Sequence, residues 1–378
     1  MSRRSDNRGR HDITVAGLGV AGSTLAYQAS RHGFKVAGYD VAPIYRKACG
    51  DVVSVRGETW RIVKETGSML TGVKKFSIRV GGAEVAYIDV GGPVWVVVDK
   101  SKLVNTLRGL AASLGASIFR GKLSRLDNVE GIAVDARGPY SRGLEDAVIT
   151  FRVIAECVWE PDTALIDFNV KNRGFYWVFP ADADGRLVNL GAGFEKVKDG
   201  GLLRRLTLAY YRRVCDARRI LDERGAPIQV HAPINLHSGK VLRVGEAGGL
   251  LNRTSGEGNR HAMLSSLALV EALRASSDLN EIVEDYSRRV SGLVNEVNVS
   301  RALLKTITLI GRGRGEELLV NAPRTFWVKW LKSELTWDSL ARIVAGSPSG
   351  SLKALKSLLV ASLRNSKTSI SGLPPSTL

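Results

Sequence analysis

The sequence of 378 residues has no long uninterrupted apolar run. A helix that spans a membrane needs ~18 or more such residues, and no segment approaches that length. The first ten residues, MSRRSDNRGR, are basic and lack the apolar core of a secretory signal. We therefore expect a cytoplasmic protein with a disordered basic tail over residues 1–12.

Cysteine is scarce as well. Cys49, Cys157 and Cys215 are the three cysteines of the chain, and they are widely separated. That number and spacing suit neither a disulfide framework nor a zinc site. We expect reduced cysteines, in keeping with a reducing compartment, and no metal site.

Acidic residues are outnumbered, with 37 Asp and Glu against 54 Lys and Arg and a formal net charge of +17. Such an excess suits nucleic acid, an anionic membrane surface or an anionic substrate, and equally a solvated basic surface. The sequence shows no nucleic-acid-binding motif, internal repeat or low-complexity block, so we expect no nucleic-acid partner. The composition is otherwise globular and sufficient for two domains or one large interleaved domain.

The C-terminal part concentrates this positive charge. Its basic residues are Arg324, Lys329, Lys332, Arg342, Lys353, Lys356, Arg364 and Lys367. Among them stand Phe326, Trp327, Trp330 and Trp337, followed by a leucine stripe at Leu352, Leu355, Leu359 and Leu363. The pattern has two interpretations, a helix lying in a membrane interface or a helix that buries its apolar face in the core.

Three glycines separate an apolar run from a helical run in ITVAGLGVAGSTLAYQASRHGFKVAGYD, residues 13–40. The pattern predicts a buried strand, a tight turn and a helix whose N-terminal amides bind a pyrophosphate. The predicted binding residues are Gly17, Gly19, Val20, Ala21 and Gly22. Asp40 ends the next predicted strand, where an acid binds ribose hydroxyls. The ligand is an adenine dinucleotide, and residues 13–40 leave NAD and FAD both open.

Further weak motifs follow in a definite order. They are YRKACGDVVS (45–54), Asp99 and Lys100 before a predicted helix, DARGPYS (135–141), GFYWVFP (174–180) and VLRVGEAGGLLNRTSGEGNRHAM (241–263). In this order they resemble the geranylgeranyl reductase family of flavoproteins, above all its archaeal members that saturate the isoprenoid chains of membrane lipids. The resemblance covers about residues 13–265.

The resemblance implies an α/β fold, in which an FAD-binding Rossmann-like domain of the aromatic-hydroxylase (glutathione-reductase-like) type is interleaved with an antiparallel substrate sheet. The expected boundaries are 13–150 and 235–275 for the FAD-binding domain, 50–95 and 151–234 for the substrate sheet, and 276–378 for a helical C-terminal region.

The resemblance also selects FAD, because a plain NAD dehydrogenase has no use for the second glycine-rich segment. Its implied cofactor contacts are Cys49 and Gly50 of a CGxxxS segment, Lys100, Glu246, Gly256, Gly258 and Asn259. Glu246 would face the ribityl chain, and the helix after the glycines would direct its positive end at the reduced flavin. The implied substrate residues are Phe175, Trp177, Phe179 and Pro180, from a YxWxFP signature.

The chain departs from the family pattern in several places. Glu246 replaces an aspartate, Arg137 replaces the aspartate of ADGxxS, and Phe175 replaces the signature tyrosine. The segment around Arg253 lacks the usual proline. These changes concern substrate and activity more than the fold.

Saturating an alkene requires a hydride and a proton, and reduced flavin supplies the hydride. Cys49 is a candidate redox or proton-transfer group and equally a small residue packed beside the cofactor. His261 is a candidate proton donor and equally a packing or capping residue. The electron donor would be ferredoxin or NAD(P)H.

We therefore expect an FAD-dependent reductase of polyprenyl lipids that works at the inner face of an anionic membrane. Two alternatives differ in class: an FAD-dependent monooxygenase of the aromatic-hydroxylase type, and a non-catalytic basic protein that binds membranes or nucleic acid on a flavoprotein fold.

Overall fold

The structure, a computed structural model, describes residues 11–45, 47–216, 219–309 and 314–345. Nearly all of the predicted basic tail, the leucine stripe and the basic residues from Lys353 onward lie outside these residues. The described chain forms three β-sheets surrounded by helices.

The first sheet carries the glycine turn. Its strands are β1 (Ile13–Ala16), β2 (Val36–Asp40), β8 (Ser117–Arg120), β9 (Ile132–Asp135), β15 (His237–Ser238) and β16 (Val241–Arg243), in the order β15-β16-β9-β1-β2-β8. All its pairings are parallel except β15 with β16. β1 is central and fully buried, as expected of an apolar strand covered on both faces.

The second sheet is mainly antiparallel. Its strands are β5 (Lys75–Val80), β6 (Ala83–Asp89), β10 (Val148–Glu156), β11 (Thr163–Asn169), β12 (Gly174–Pro180), β13 (Leu187–Phe194) and β14 (Ile220–Ile228), in the order β14-β10-β13-β12-β11-β5-β6. β12 contains the aromatic signature and pairs with β11 and β13. A separate small sheet has the order β3-β7-β4, from β3 (Val52–Ser54), β4 (Met69–Val73) and β7 (Trp95–Val98).

Helices cover these sheets and continue to the end of the described chain. They are α1 (Val20–Arg31), α2 (Gly57–Glu65), α3 (Lys100–Ser113), α4 (Gly200–Val214), α5 (Asn259–Ala275), α6 (Leu279–Arg289), α7 (Ser291–Leu309), α8 (Arg314–Val320), α9 (Arg324–Leu331) and α10 (Trp337–Ala345). Short 3-10 helices span Gly138–Ser141 and Gly245–Gly248.

The core beneath the first sheet depends on close packing of α1 against β1. Gly17 has a φ of +88°, a conformation that favours glycine. A Cβ atom on Gly22 would lie 1.8 Å from the Gly17 carbonyl oxygen. Since such a distance is impossible, Gly22 has to be glycine for the helix to lie where it does.

The expectation of three reduced cysteines is wrong for two of them. Cys157, just after β10, forms a disulfide with Cys215 at the end of α4, with their Cα atoms 5.1 Å apart. The partners are 58 residues apart in sequence, and α4 packs against β10 and β13 to bring them together. Cys49 is free.

The interfacial interpretation of the C-terminal tryptophans is also wrong for those on α9. Phe326, Trp327 and Trp330 are buried and pack with Trp95 and other residues of the core beside the second sheet. The Trp330 indole donates to Thr254 Oγ1 at 2.9 Å, and the Trp95 indole donates to the Leu331 carbonyl at 2.8 Å. Among the described residues, no helix is both long and apolar enough to cross a membrane.

Candidate flavin site

A cavity of about 950 Å³ lies where the carboxyl ends of the parallel strands meet the inner face of the second sheet. This edge of a parallel sheet is where nucleotides bind. The predicted residues that line it are Gly17, Gly19, Val20, Ala21, Asp40, Cys49, Gly50, Lys100, Glu246, Gly256, Gly258, Asn259, Phe175, Trp177 and Phe179. The cavity therefore brings both glycine-rich segments and the aromatic strand into one site.

Three predicted site residues lie outside the cavity lining. Gly22 packs against Gly17, so its role is structural. Pro180 is buried at the end of β12. His261 is completely buried on α5, and its imidazole does not reach the cavity wall. In this position His261 does not contact a molecule in the cavity, so the structure does not support its predicted role as a proton donor.

The first glycine turn fits a pyrophosphate. Gly19 precedes α1 as its N-cap, so the amides of the first turn of α1 have no partner within the helix. A Cβ on Gly19 would meet only the Tyr45 ring, at 3.4 Å, and would project into the cavity. Because Gly19 has no side chain, the cavity has room for an anionic ligand at the N-terminus of α1.

Asp40 is held in place by residues from three segments. One carboxylate oxygen accepts from the Leu18 amide at 2.7 Å and from Arg108 Nη2 at 3.0 Å, and the other accepts from the Ala42 amide at 2.8 Å. Arg108, on α3, also donates to the Leu18 carbonyl. Asp40 thus lies at the cavity edge with a fixed orientation, in the position predicted for ribose binding.

A hydrogen-bond network joins the Cys49 segment to the aromatic strand. Asn189 Nδ2 donates to the Cys49 carbonyl at 2.8 Å and to Asp51 Oδ2 at 3.0 Å. Its side-chain oxygen accepts from the Trp177 indole at 3.1 Å. Asp51 has a φ of 58°, which is uncommon for a residue with a side chain and marks local strain. Asn189 therefore holds the Cys49 segment and the aromatic strand in a fixed position relative to each other.

Lys100 brings a buried positive charge to the Cys49 segment. Its ammonium lies 3.0 Å from Asp51 Oδ1 and 5.7 Å from the centre of the Tyr45 ring. Burial lowers the pKa of Lys100, but the neighbouring Cys49, Tyr45 and Asp51 groups outweigh it and raise the pKa overall. Lys100 is therefore a cation at neutral pH, on the cavity wall.

Glu246 lies at the cavity, as predicted, but its two oxygens already have protein partners. Oε2 forms an ion pair with Lys47 at 3.0 Å, and Oε1 accepts from the Gln229 amide at 2.8 Å. Lys47 belongs to the segment before Cys49. The pair therefore connects the Cys49 segment to the second glycine-rich segment.

Arg253 is a second buried cation, in the second glycine-rich segment. Its guanidinium is 4% exposed and donates to the carbonyls of Gln229, Ala232 and Gly249. Burial lowers the pKa of Arg253 to about 10, with Arg301 and Arg142 acting in the same direction. Its hydrogen bonds hold the connection between β14 and β15 under the cavity.

Behind the start of α5 lies a buried ionic cluster, which we define as Glu257, Arg260, His261 and Glu296. His261 Nδ1 is 3.6 Å from Glu257 and Nε2 is 3.4 Å from Glu296, while Arg260 pairs with both acids. Desolvation opposes ionisation of Glu296, but hydrogen bonding and charge from His261 and Arg260 lower its pKa to about 2. The cluster therefore attaches the start of α5 to α7, which carries Glu296.

Arg137, which replaces an aspartate of the family pattern, turns onto Asp135. Its Nη2 lies 2.7 Å from Asp135 Oδ2, which also accepts from Ser141 Oγ at 2.7 Å. Burial raises the pKa of Asp135, but these hydrogen bonds outweigh it and lower the pKa. The substitution therefore forms a local ion pair at the cavity wall.

Aromatic rings form the opposite wall. Trp177 and Phe179 are stacked with centroids 6.4 Å apart, and Phe175 is 6.1 Å from Trp177. Leu304 and Ile307 of α7 and Leu319 of α8 complete this apolar part of the cavity. Tyr176 faces the other side of β12, where it stacks on Tyr210 at 4.0 Å.

The arrangement can hold an extended dinucleotide along the two glycine segments and an apolar molecule against the aromatic wall. Four residues that orient the predicted groups were not predicted from the sequence: Lys47, Arg108, Asn189 and Gln229. Asn189 carried a signal in principle, since it is a polar residue within an apolar strand.

No family model matches the chain. The chain is 24% identical over 359 residues to digeranylgeranylglycerophospholipid reductase of Sulfolobus acidocaldarius, covering 78% of this chain and 76% of that protein. A solved geranylgeranyl bacteriochlorophyll reductase-like protein from Thermoplasma acidophilum has a TM-score of 0.72 and 17% identity, covering 92% of this chain and 99% of that one. A flavin-dependent brominase has a TM-score of 0.64 and 14% identity, covering 94% and 99%.

The fold is therefore that of flavin-dependent oxidoreductases and hydroxylases, which confirms the predicted fold class. Within that class the chain is similar to geranylgeranyl reductases. The resemblance predicted from the order of the motifs is confirmed.

Proposed function

We propose that the protein binds FAD and saturates carbon-carbon double bonds of geranylgeranyl or other polyprenyl chains in the biosynthesis of membrane lipids. One observation carries the proposal: the two glycine-rich segments and the aromatic wall of β12 line a single cavity. The similarity to a digeranylgeranylglycerophospholipid reductase supports the choice of substrate.

The residues that would hold FAD follow the cavity. The glycine turn before α1 would bind the pyrophosphate, Asp40 the adenosine ribose, and the segment Gly256 to Asn259 the pyrimidine end of the flavin. When bound and reduced, FAD supplies the hydride. Lys100, Lys47 and the N-terminus of α5 would favour the negative charge of the reduced state.

The protein's own part in the reaction is to position the alkene and supply a proton. Trp177 and Phe179 would hold the chain and exclude water. Cys49 Sγ, 3.8 Å from Asn259 Nδ2 on the cavity wall, would donate the proton to the second carbon. The thiolate would then recover a proton from solvent, so that two electrons and two hydrogens are added per double bond.

The test is anaerobic. FAD-loaded protein is reduced with dithionite and mixed with a geranylgeranyl lipid, and mass spectrometry follows the gain of two hydrogens per bond. Trp177→Leu should slow the reaction, while the control Tyr176→Phe, on the outer side of β12, should not. A reduced flavin that no polyprenyl lipid reoxidises would exclude the reductase. Oxygen uptake coupled to substrate would favour a monooxygenase, and failure to bind FAD would favour a non-catalytic protein.

We also propose that the protein works on the inner, cytoplasmic face of an anionic membrane. The net charge of +17 supports this, since each basic residue near such a surface contributes ~1 kcal/mol. So does an apolar rim at the cavity, where Val41, Ile44, Tyr140 and Leu144 are exposed. Cosedimentation with anionic and neutral vesicles at low and high salt tests it, and binding that ignores lipid charge would contradict it.

A further inference from the structure

Arg142 is a half-buried arginine on the lining of the flavin cavity. Its guanidinium forms no ion pair or hydrogen bond with a described residue, and its Nη2 is buried in that state. The other two nitrogens, Nε and Nη1, are not enclosed in this way and keep surface for a ligand. Burial and the nearby Arg243 charge lower the pKa of Arg142, while Asp135 acts in the opposite direction. The group is still a cation at neutral pH.

Three carboxylates lie in the surroundings of this guanidinium, and none of them pairs with it. Asp135 forms an ion pair with Arg137 at 2.7 Å, and Glu246 forms one with Lys47 at 3.0 Å. Glu145 is exposed and forms no ion pair in the described part of the chain. The charge of the guanidinium is therefore not balanced by a neighbouring acid.

Two further arginines add positive charge near Arg142. Arg243, at the end of β16, has Nε and Nη1 buried without a hydrogen-bond partner among the described residues. Arg253 donates its hydrogen bonds to backbone carbonyls, which carry no net charge. The Arg243 charge acts on Arg142, and the Arg142 charge acts on Arg253, so the three groups lie close enough to repel one another. This side of the cavity is therefore electropositive and suits an anion.

The mouth of the cavity at Arg142 is apolar as well as positive. Tyr140 and Leu144, on either side of Arg142 in the sequence, line the cavity and are 56% and 43% exposed. A soluble anion bound at Arg142 would leave both side chains in water. A phospholipid presents a charged phosphate directly beside apolar groups, so it matches the cation and its apolar neighbours together.

A continuous path along the second sheet joins Arg142 to the aromatic wall. Val148 and Thr150, at the start of β10, line the cavity. Thr150 pairs with Gly193 of β13, and Gly193 pairs with Phe175 of β12. Because neighbouring strands lie about 4.8 Å apart, Thr150 and Phe175 are separated by roughly 10 Å. An apolar chain attached to a group at Arg142 can therefore follow the sheet to the aromatic wall.

We propose that Arg142 binds the phosphate of a phospholipid headgroup, whose polyprenyl chains follow this path into the cavity. The inference rests on the proposed function, because it takes a polyprenyl substrate and adds which polar group that substrate carries. A guanidinium offers several N–H donors in a fixed plane and a permanent charge, which match the oxygens of a phosphate. A neutral headgroup would leave the cation uncompensated.

The experiment compares two lipids that differ only in the phosphate. FAD-saturated full-length protein is titrated with digeranylgeranylglyceryl phosphate and with digeranylgeranylglycerol in the same nonionic detergent, and tryptophan fluorescence reports binding without turnover. A charge-assisted hydrogen bond corresponds to about tenfold in affinity or more, so the natural protein should bind the phosphate lipid at least about tenfold more tightly than the alcohol. Arg142→Gln should reduce this ratio to about threefold or less.

Arg125→Gln is the matched control, because it removes the same charge from an exposed arginine that does not line the cavity. It should leave the ratio of the two affinities within about twofold of the natural value. Leu144→Glu guards against misfolding of Arg142→Gln. It places a negative charge at an exposed position two residues from Arg142 and should also lower the ratio. A ratio near one in the natural protein, or a ratio that neither Arg142→Gln nor Leu144→Glu changes, would overturn the proposal.

Titrations with NADPH and FAD separate the other phosphate-bearing ligands from the lipid. If Arg142→Gln weakened binding of NADPH and left the lipid ratio unchanged, the arginine would serve a dinucleotide and the lipid assignment would be overturned. A loss of FAD affinity of more than about tenfold in Arg142→Gln would place the arginine on the cofactor instead. If FAD binds and neither lipid does, the polyprenyl function itself fails, which is a different result from equal binding of the two lipids.

Discussion

Replacing Gly19 by valine should abolish FAD binding and leave the fold intact. Gly19 has φ −68° and ψ −159°, which a residue with a side chain can adopt. Its added Cβ would meet the protein only at the Tyr45 ring, 3.4 Å away. We therefore expect the free energy of unfolding of the apoprotein to change by less than about 0.5 kcal/mol.

The loss of affinity follows from where the new side chain would point. The valine would fill the part of the cavity where a pyrophosphate approaches the backbone, and at least two charge-assisted hydrogen bonds would be lost. At about 1.5 kcal/mol each, these amount to about 100-fold in Kd or more. The assay is quenching of FAD fluorescence on titration with apoprotein, alongside urea unfolding of the same sample.

Gly22→Ala is the matched comparison at the other end of the turn. Its Cβ would lie 1.8 Å from the Gly17 carbonyl oxygen, so α1 would have to move away from β1 until the distance reaches at least 3.0 Å. We expect a loss of about 3 kcal/mol of stability from this overpacking, with weakened FAD binding as a consequence. If Gly19→Val bound FAD with a Kd within threefold of the natural protein, the placement of the pyrophosphate would be refuted.

Three further predictions concern the network around the cavity. Cys49→Ala should lower turnover or shift the flavin spectrum while the urea midpoint stays unchanged, and no change in either would mean that Cys49 only packs. Asn189→Leu should cost about 3 kcal/mol by urea unfolding, because it leaves the Trp177 indole without its acceptor and removes two bonds to the Cys49 segment. The pKa of Glu296 is about 2 in the folded protein and 4.5 without its partners, so its stabilisation is complete above pH 4.5 and declines as the pH falls toward 2. Glu296→Gln should flatten the pH dependence of the urea midpoint in that range, and an unchanged slope would contradict the assignment.

The parts of the site that could be predicted from sequence are those set by local geometry. The turn before α1 needs glycines because the backbones of the helix and the strand touch there. The residues concerned lie within a few positions of one another, so the pattern is visible in the sequence. The aromatic strand was predicted differently, from its resemblance to the YxWxFP signature. Motif order then placed these segments at one cavity, although their contacts could not be derived.

The groups that orient the site come from distant segments and left no local signal. Arg108 reaches Asp40 across 68 residues, and Asn189 reaches Cys49 across 140. The disulfide between Cys157 and Cys215 depends on how α4 packs against the second sheet, so scattered cysteines gave no indication of it. The tryptophans of α9 were ambiguous for the same reason: an amphipathic helix has the same composition whether its apolar face meets lipid or a protein core.

The hydrogen bond from Trp330 to Thr254 limits how the protein can change. It connects α9, which covers the aromatic core, to the loop before Gly256 at the flavin end of the cavity. A mutation of Trp330 that moved its neighbours on the cavity lining, Trp95 and Phe168, would therefore shift the loop before Gly256 as well. Leu304, Ile307 and Leu319 line the apolar part of the cavity directly, from α7 and α8, and their side chains have no group that could hydrogen-bond to that loop. Selection for a different chain length, in nature or in the laboratory, should therefore accumulate changes at these three positions while Trp330 stays constant.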